Sequence, residues 1–261
     1  MAEASVTLPR IAEHLDALLC TREIPDYPGA MNGIQVEHVG PVTRCAVAVD
    51  ASLRTIEGAI AAKANLLVVH HGLYWSGVQP LRGRFYERAR LLLRHDVAVY
   101  SSHLPLDLHP TLGNNPLFAR ALGLEPTGGF ARFQTITVGV MGDTDVDTTA
   151  LAVKARAIAE RENGTLVTVG VTPGRRTHRW ALCTGAGASS DTLHEAAVAG
   201  VDTLIVGEGP HHTGVEAQEL GIAVLYAGHY ATETFGVRAV GAELERVFGL
   251  PWTFVPAPTG L

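Results

Sequence analysis

Leu66-Leu67-Val68-Val69-His70-His71 is the stretch that decides the fold. Four apolar residues read as a buried strand, and the two histidines before Gly72 form its C-terminal mouth. Two other stretches have the same form. Val97-Ala98-Val99-Tyr100-Ser101-Ser102-His103 runs into Asp107 four residues on, and Ala223-Val224-Leu225-Tyr226-Ala227-Gly228-His229 runs into Glu233. Three strands that each end in histidine, two with a carboxylate one helical turn later, point to one site.

Working outward, Pro9–Leu19 has helical spacing, and Asn32–Val36 starts an extended segment after a Pro/Gly/Asn-rich connection. Cys45–Val49 is a short strand ending at Asp50, and Ser52 caps a helix over 53–64. That βαβ spacing makes Leu66–Val69 its parallel partner. Phe85–Arg94 reads as a helix after a loop over 75–84, and 116–122 as a short helix before a Gly-rich break at 126–129. The pattern then restarts. Strands are expected at 135–141, 165–169, 180–184, 203–206, 222–226 and 252–255, and helices at 147–162, 191–199, 212–220 and 232–247.

The two halves resemble each other. Cys45–Asp50, a helix, Leu67–His71, a helix and Ala98–His103 align with Ala181–Gly185, a helix, Leu204–Glu208, a helix and Val224–His229. In that register Tyr100 matches Tyr226, His103 matches His229, Asp107 matches Glu233 and His71 matches Glu208. The expected architecture is α/β, with a first domain over 1–125 and a second over 126–261, a duplication of the first, whose C-terminal segment packs back on domain one. Parallel α/β sheets bind ligands beyond the carboxyl ends of their strands, so the metal site is expected in the cleft where the two sets of strand mouths face each other.

The chemistry of these residues suits a pair of metals. Neighbours on a strand point in opposite directions, so His70 and His71 would serve two adjacent ions in preference to one. His229 and Glu233, spaced i and i+4, share a helix face, and a carboxylate can bridge two cations. Imidazole and carboxylate ligands fit zinc, iron or manganese. Two such ions can share a hydroxide and activate it for attack. His103 is the acid/base candidate, and Glu208, His212, Tyr74 and Trp75 are candidates for supporting or substrate-contacting groups. A lone histidine at a strand end or on a helix is more often a polar boundary residue, and His95, His109, His178 and His194 are read that way. Gly185-Ala186-Gly187 could cradle a phosphate at a helix N-terminus, but it lacks the third glycine of a dinucleotide fingerprint and reads first as a tight strand-to-helix turn.

Composition narrows the class. The chain has 261 residues, 47% of them hydrophobic and 18% charged, with twelve histidines and three cysteines. No window approaches a membrane span, and the N-terminus lacks the pattern of a secretory signal, which points to the cytoplasm. Three scattered cysteines form neither a disulfide framework nor a thiolate metal knuckle. A net charge of −6 argues against a nucleic-acid surface.

Asn32-Gly33-Ile34-Gln35-Val36, Val69-His70-His71, Ser102-His103 with Asp107, Thr184-Gly185-x-Gly187, Gly207-Glu208 and His229 with Glu233 together resemble the dinuclear-metal-centre hexameric protein family, whose members are named GTP cyclohydrolase 1 type 2 homologues. The resemblance spans nearly the whole chain. It implies two interlinked α/β domains, a toroidal homohexamer, and two divalent metals held by His70, His71, Asp107, His229 and Glu233. The chain is the short form, without the insertion some members carry, and has Leu73-Tyr74-Trp75 where many members have a proline after the histidines. The function this implies is a metal-dependent hydrolase that uses a metal-bound hydroxide on a small molecule, with a nucleotide as the candidate that the family's name suggests. The alternative is a non-enzymatic metal-binding ring that serves as an interaction scaffold.

Overall fold

The computed structural model of the chain describes residues 6–261. In chain order the elements are α1 (Leu8–Leu18), β1 (Gly33–Val36), β2 (Cys45–Asp50), α2 (Leu53–Ala61), β3 (Leu66–His71), α3 (Arg84–Arg94), β4 (Ala98–Ser101), α4 (Leu104–Leu108) and α5 (Asn114–Leu122). They continue with β5 (Gly128–Phe133), β6 (Ile136–Asp147), α6 (Thr148–Arg161), β7 (Val167–Val169), β8 (Arg176–Cys183), α7 (Ser190–Val198), β9 (Thr203–Val206), α8 (His211–Leu220), β10 (Ala223–Tyr226), α9 (His229–Thr232), α10 (Thr234–Phe248) and β11 (Trp252–Phe254).

These elements form two compact units. One comprises residues 6–106 with Gly236–Ala257, and the other comprises Asp107–Phe235 with Pro258–Leu261. The sequence pattern put the break at 125/126. The chain instead changes unit directly before Asp107 and again two residues after Glu233, so both passages lie beside a strand-mouth carboxylate.

The first unit's sheet runs β1-β4-β3-β2-β11, with β4, β3, β2 and β11 parallel and β1 antiparallel at the edge. Its central strands are apolar on both faces, as a covered parallel sheet requires. Ala46, Ala48, Leu67, Val69 and Val99 pack with Ile56 and Ala59 of α2 and Leu92 of α3. On the alternate positions Cys45, Val47, Leu66, Val68 and Tyr100 are also buried. Tyr100 reaches α1, where its hydroxyl donates to Asp16 at 2.7 Å.

The second unit's sheet runs β5-β6-β8-β9-β10-β7. β8, β9 and β10 are parallel, while β5, β6 and β7 pair antiparallel around them. Trp180, Leu182, Ile205 and Leu225 face α5 and α6, and Ala181, Leu204, Val206 and Val224 face α7 and α8.

The three-strand parallel cores share order and sense, and each is flanked by an antiparallel strand (β1 on β4, β7 on β10). The first helix of each begins with the same reciprocal cap. Ser52 with Thr55 starts α2, and Ser189 with Thr192 starts α7, each serine side chain accepting from the threonine backbone N–H.

Three features depart from the sequence reading. A strand, β5, occupies the stretch read as a Gly-rich break. A five-residue helix, α4, carries Asp107. The helix expected over 232–247 is broken at Glu233, which ends α9 with φ −105° and ψ 5° before α10 restarts.

Candidate metal centre

In the first unit the mouths of β3 and β4 bring three histidines together. His70, His71 and His103 each offer a ligand atom within 4.8 Å of the others. The rings of His70 and His71 lie 4.7 Å apart, tilted by 50°. Strand alternation alone would have sent them apart. His71 is the last residue of β3, and its ring is held by Asp50 at the end of the neighbouring strand β2.

Each of these rings is held by its Nδ1. His70 donates to the Ser102 carbonyl at 3.0 Å, His71 pairs with Asp50 at 2.9 Å, and His103 pairs with Asp26 at 2.8 Å. A carbonyl or carboxylate can only accept, so each Nδ1 carries a proton and the Nε2 lone pair becomes the coordinating one. Ligating histidines are oriented in this way in metal sites.

Asp26 has a further task. Burial alone would raise its pKa, but the hydrogen bond and charge of His103, with donors from Asn32 and Leu104, bring it below the usual carboxylate range. Asn32 also accepts the His103 backbone N–H at 2.8 Å. Gln35 accepts from Leu73 N–H at 2.7 Å and donates to the Ala30 and Met31 carbonyls. The Asn32-Gly33-Ile34-Gln35 segment thus splints the turns that follow both histidine strands. Gly72 makes room for this side chain, because a Cβ there would lie 2.2 Å from the Gln35 amide and would push it off these partners. Trp75 stands edge-on to His103 and His71, with centroids 4.6 and 5.4 Å away. Tyr74 instead packs against the apolar core.

The second unit collects carboxylates around one histidine. His229 pairs through Nδ1 with Glu208 at 2.8 Å and through Nε2 with Glu233 at 3.1 Å. Burial would lower its pKa, but Glu233 and then Glu208 raise it to about 9. Glu233 and Asp107 are both buried, and Asn114 donates to Asp107 at 2.8 Å. Gly185, at φ +63°, lies against this set. A Cβ on it would stand 2.2 Å from Glu233 Oε1 and 3.3 Å from His229 Nε2. The Gly185-Ala186-Gly187 turn therefore makes room for a carboxylate. It is further laced by Gly185 N–H to Thr232 Oγ1 and Glu208 N–H to the Gly185 carbonyl. His212 lies exposed in the first turn of α8, outside this set.

The donors fit a borderline divalent cation, being imidazole and carboxylate without thiolate. Cys183 is the nearby thiol, and burial, reinforced by the Asp107, Glu233 and Glu195 carboxylates, pushes it up to about 12, so it stays protonated. Asp26, Asp50, Asn32 and Asn114 escaped the sequence reading as functional groups. The signals available were Asp50 at the end of the strand beside β3 and Asn32 at the head of a recognisable motif. Two other histidines have local partners. His109 accepts backbone N–H groups of its own turn, and His178 is an exposed partner of Asp145.

Comparison with known proteins places the chain in a family. The family model described as Duf34/NIF3 (NGG1p interacting factor 3) matches residues 6–259. A Deinococcus radiodurans protein named GTP cyclohydrolase 1 type 2 homolog is 39% identical, covering 90% of this chain and 88% of its own. One of the same name from Pyrococcus abyssi is 38% identical, covering 96% and 98%. Among solved structures, the ybgI protein of unknown function superposes with a TM-score of 0.87 at 33% identity over 98% of this chain and all of its own. A Thermus thermophilus protein gives 0.83 at 31% identity over 97% and 99%. Among the described residues no helix is long and apolar enough to cross a membrane.

Proposed function

The chain belongs to the Duf34/NIF3 family, and from that premise we propose that it holds two divalent cations and acts as a metal-dependent hydrolase on a small molecule. The family resemblance assigns His70, His71, Asp107, His229 and Glu233 as the ligands, and zinc, iron and manganese are all compatible. The observation that carries it is the common Nδ1 anchoring of His70 and His71, which makes each imidazole an oriented Nε2 donor.

Bound cations would supply Lewis acidity and make a coordinated water more acidic. The protein's own contribution to proton transfer is His103. Its Nδ1–H is fixed on an ionised Asp26, so its Nε2 is the basic atom and can take a proton from the attacking water. Asp26 then stabilises the imidazolium, and the same ring can return the proton to the leaving group. Trp75 packs edge-on against the same ring.

The relatives' name makes a guanine nucleotide the first substrate to try, and the family resemblance makes a homohexamer the assembly to expect. The test is hydrolysis of a panel of nucleotides and phosphate esters by fully metal-loaded protein, with His103→Gln as the comparison. Turnover that is lost on chelation and falls by about 10²–10⁴-fold in His103→Gln at unchanged metal content supports the reading. Full loading with no turnover across the panel favours the non-enzymatic scaffold.

A further inference from the structure

Beside His71 the first unit contains a cavity of about 260 Å³ lined by Asp50, Ser52, His71, Trp75, Arg84 and Arg88. Two buried donors on this lining, Arg88 Nε and the Trp75 indole N–H, have no hydrogen-bond acceptor among the described residues. Buried donors in native proteins are nearly always satisfied, so each such exception calls for a physical reason. Both are donor-only groups, and what they lack is an acceptor.

The charge of the cavity favours the same kind of occupant. Arg84 and Arg88 contribute two guanidinium groups, and burial together with the neighbouring Arg84 charge lowers the Arg88 pKa while Asp50 partly offsets this. The one carboxylate on the wall, Asp50, is already held by His71 at 2.9 Å. A guanidinium fork pairs best with a planar or tetrahedral oxyanion.

We propose that this cavity is the binding site for the phosphate group of the substrate, with Arg88, Arg84 and the Trp75 indole N–H as its donors. The inference rests on the hydrolase reading, since it places the anion next to a ligand of the proposed metals. The cavity is smaller than the roughly 300–1,000 Å³ of complete small-molecule sites. It would take one group of a substrate whose reacting part lies over the histidines. The substrate class is therefore a phosphorylated small molecule, bound by its phosphate and hydrolysed elsewhere in the molecule.

Inorganic phosphate is the probe, titrated calorimetrically into metal-loaded protein whose metal content is measured in parallel. Binding should be detectable at millimolar phosphate and should weaken at least about tenfold (~1.4 kcal/mol) in Arg88→Gln and again in Arg84→Gln, with metal content unchanged in both. Arg84 is exposed, so its variant reads the site even if Arg88→Gln folds poorly by circular dichroism. Phosphate binding of wild-type strength in folded Arg84→Gln and Arg88→Gln places the anion on the metals alone and overturns the proposal, as does no binding to wild type at 10 mM, a concentration ~10 times a 1 mM Kd. A wild-type protein that binds phosphate through the arginines but holds no metal would sustain this subsite and remove the hydrolase reading, so the two failures are separable.

Discussion

Replacing Gly185 by alanine tests the carboxylate set without touching a ligand. At φ +63° an alanine sits in the left-handed region at a cost of about 1–2 kcal/mol. Its Cβ would be 2.2 Å from Glu233 Oε1, so the carboxylate must withdraw by about 1.2 Å to reach an ordinary 3.4 Å contact. That movement breaks the 3.1 Å pairing of Glu233 with His229. Displacing an oriented ligand or its support lowers metal affinity by about 10–100-fold, and the backbone strain lowers the melting temperature of the metal-free protein by about 2–8 °C. Gly174→Ala is the control, because it has φ +79° with no atom within 4 Å of its Cβ. It should show the same loss of stability and keep its metal affinity. The assay is competition with a chromophoric chelator, alongside thermal melting. If Gly185→Ala binds metal as tightly as wild type, Glu233 is not a ligand. If Gly174→Ala loses metal equally, the effect is general softening and the reasoning fails.

Three further outcomes follow from the same geometry. Glu233→Gln should weaken both ions together, since its buried carboxylate can reach two cations, whereas Asp107→Asn should weaken mainly one. Elemental analysis of the two variants distinguishes these, and equal single-ion loss in both would remove the bridging role. In the metal-free protein, His229 is raised from 6.5 to about 9, so the stability from its imidazolium is complete below about pH 6.5 and is lost as pH rises through about 9. Melting temperature should fall across that window and fall less in Glu208→Gln, and a flat profile would contradict the pairing. Asp26→Asn should reduce turnover at unchanged metal content, because the His103 ring loses its carboxylate anchor, and wild-type turnover in the folded variant would contradict that role.

The parts legible in the sequence were those written in local pattern. The run Leu66–His71 gives a strand by its apolar residues and a site by its paired polar end. Ser52 with Thr55 announces a helix cap within four residues. What escaped depended on partners far along the chain. Asp26 lies 77 residues from His103 with no spacing rule to link them, and Asp50 meets His71, 21 residues on, only through the parallel register of β2 and β3. β5 was hidden because Gly128 and Gly129 read as a turn. In the fold Gly129 permits close cross-strand approach, since a Cβ on it would stand 2.1 Å from Thr137 Oγ1. The break at Glu233 was hidden for the opposite reason. The apolar periodicity runs on through it, while Glu233 itself ends α9 at φ −105° and ψ 5°.

Metal stoichiometry tests the central claim most directly. Protein purified without chelator and analysed for divalent metals by inductively coupled plasma mass spectrometry should carry close to two ions per chain. His71→Ala should lose one of them while remaining folded. A wild-type content well below one ion per chain, unchanged after incubation with zinc, iron(II) or manganese, contradicts the dinuclear centre.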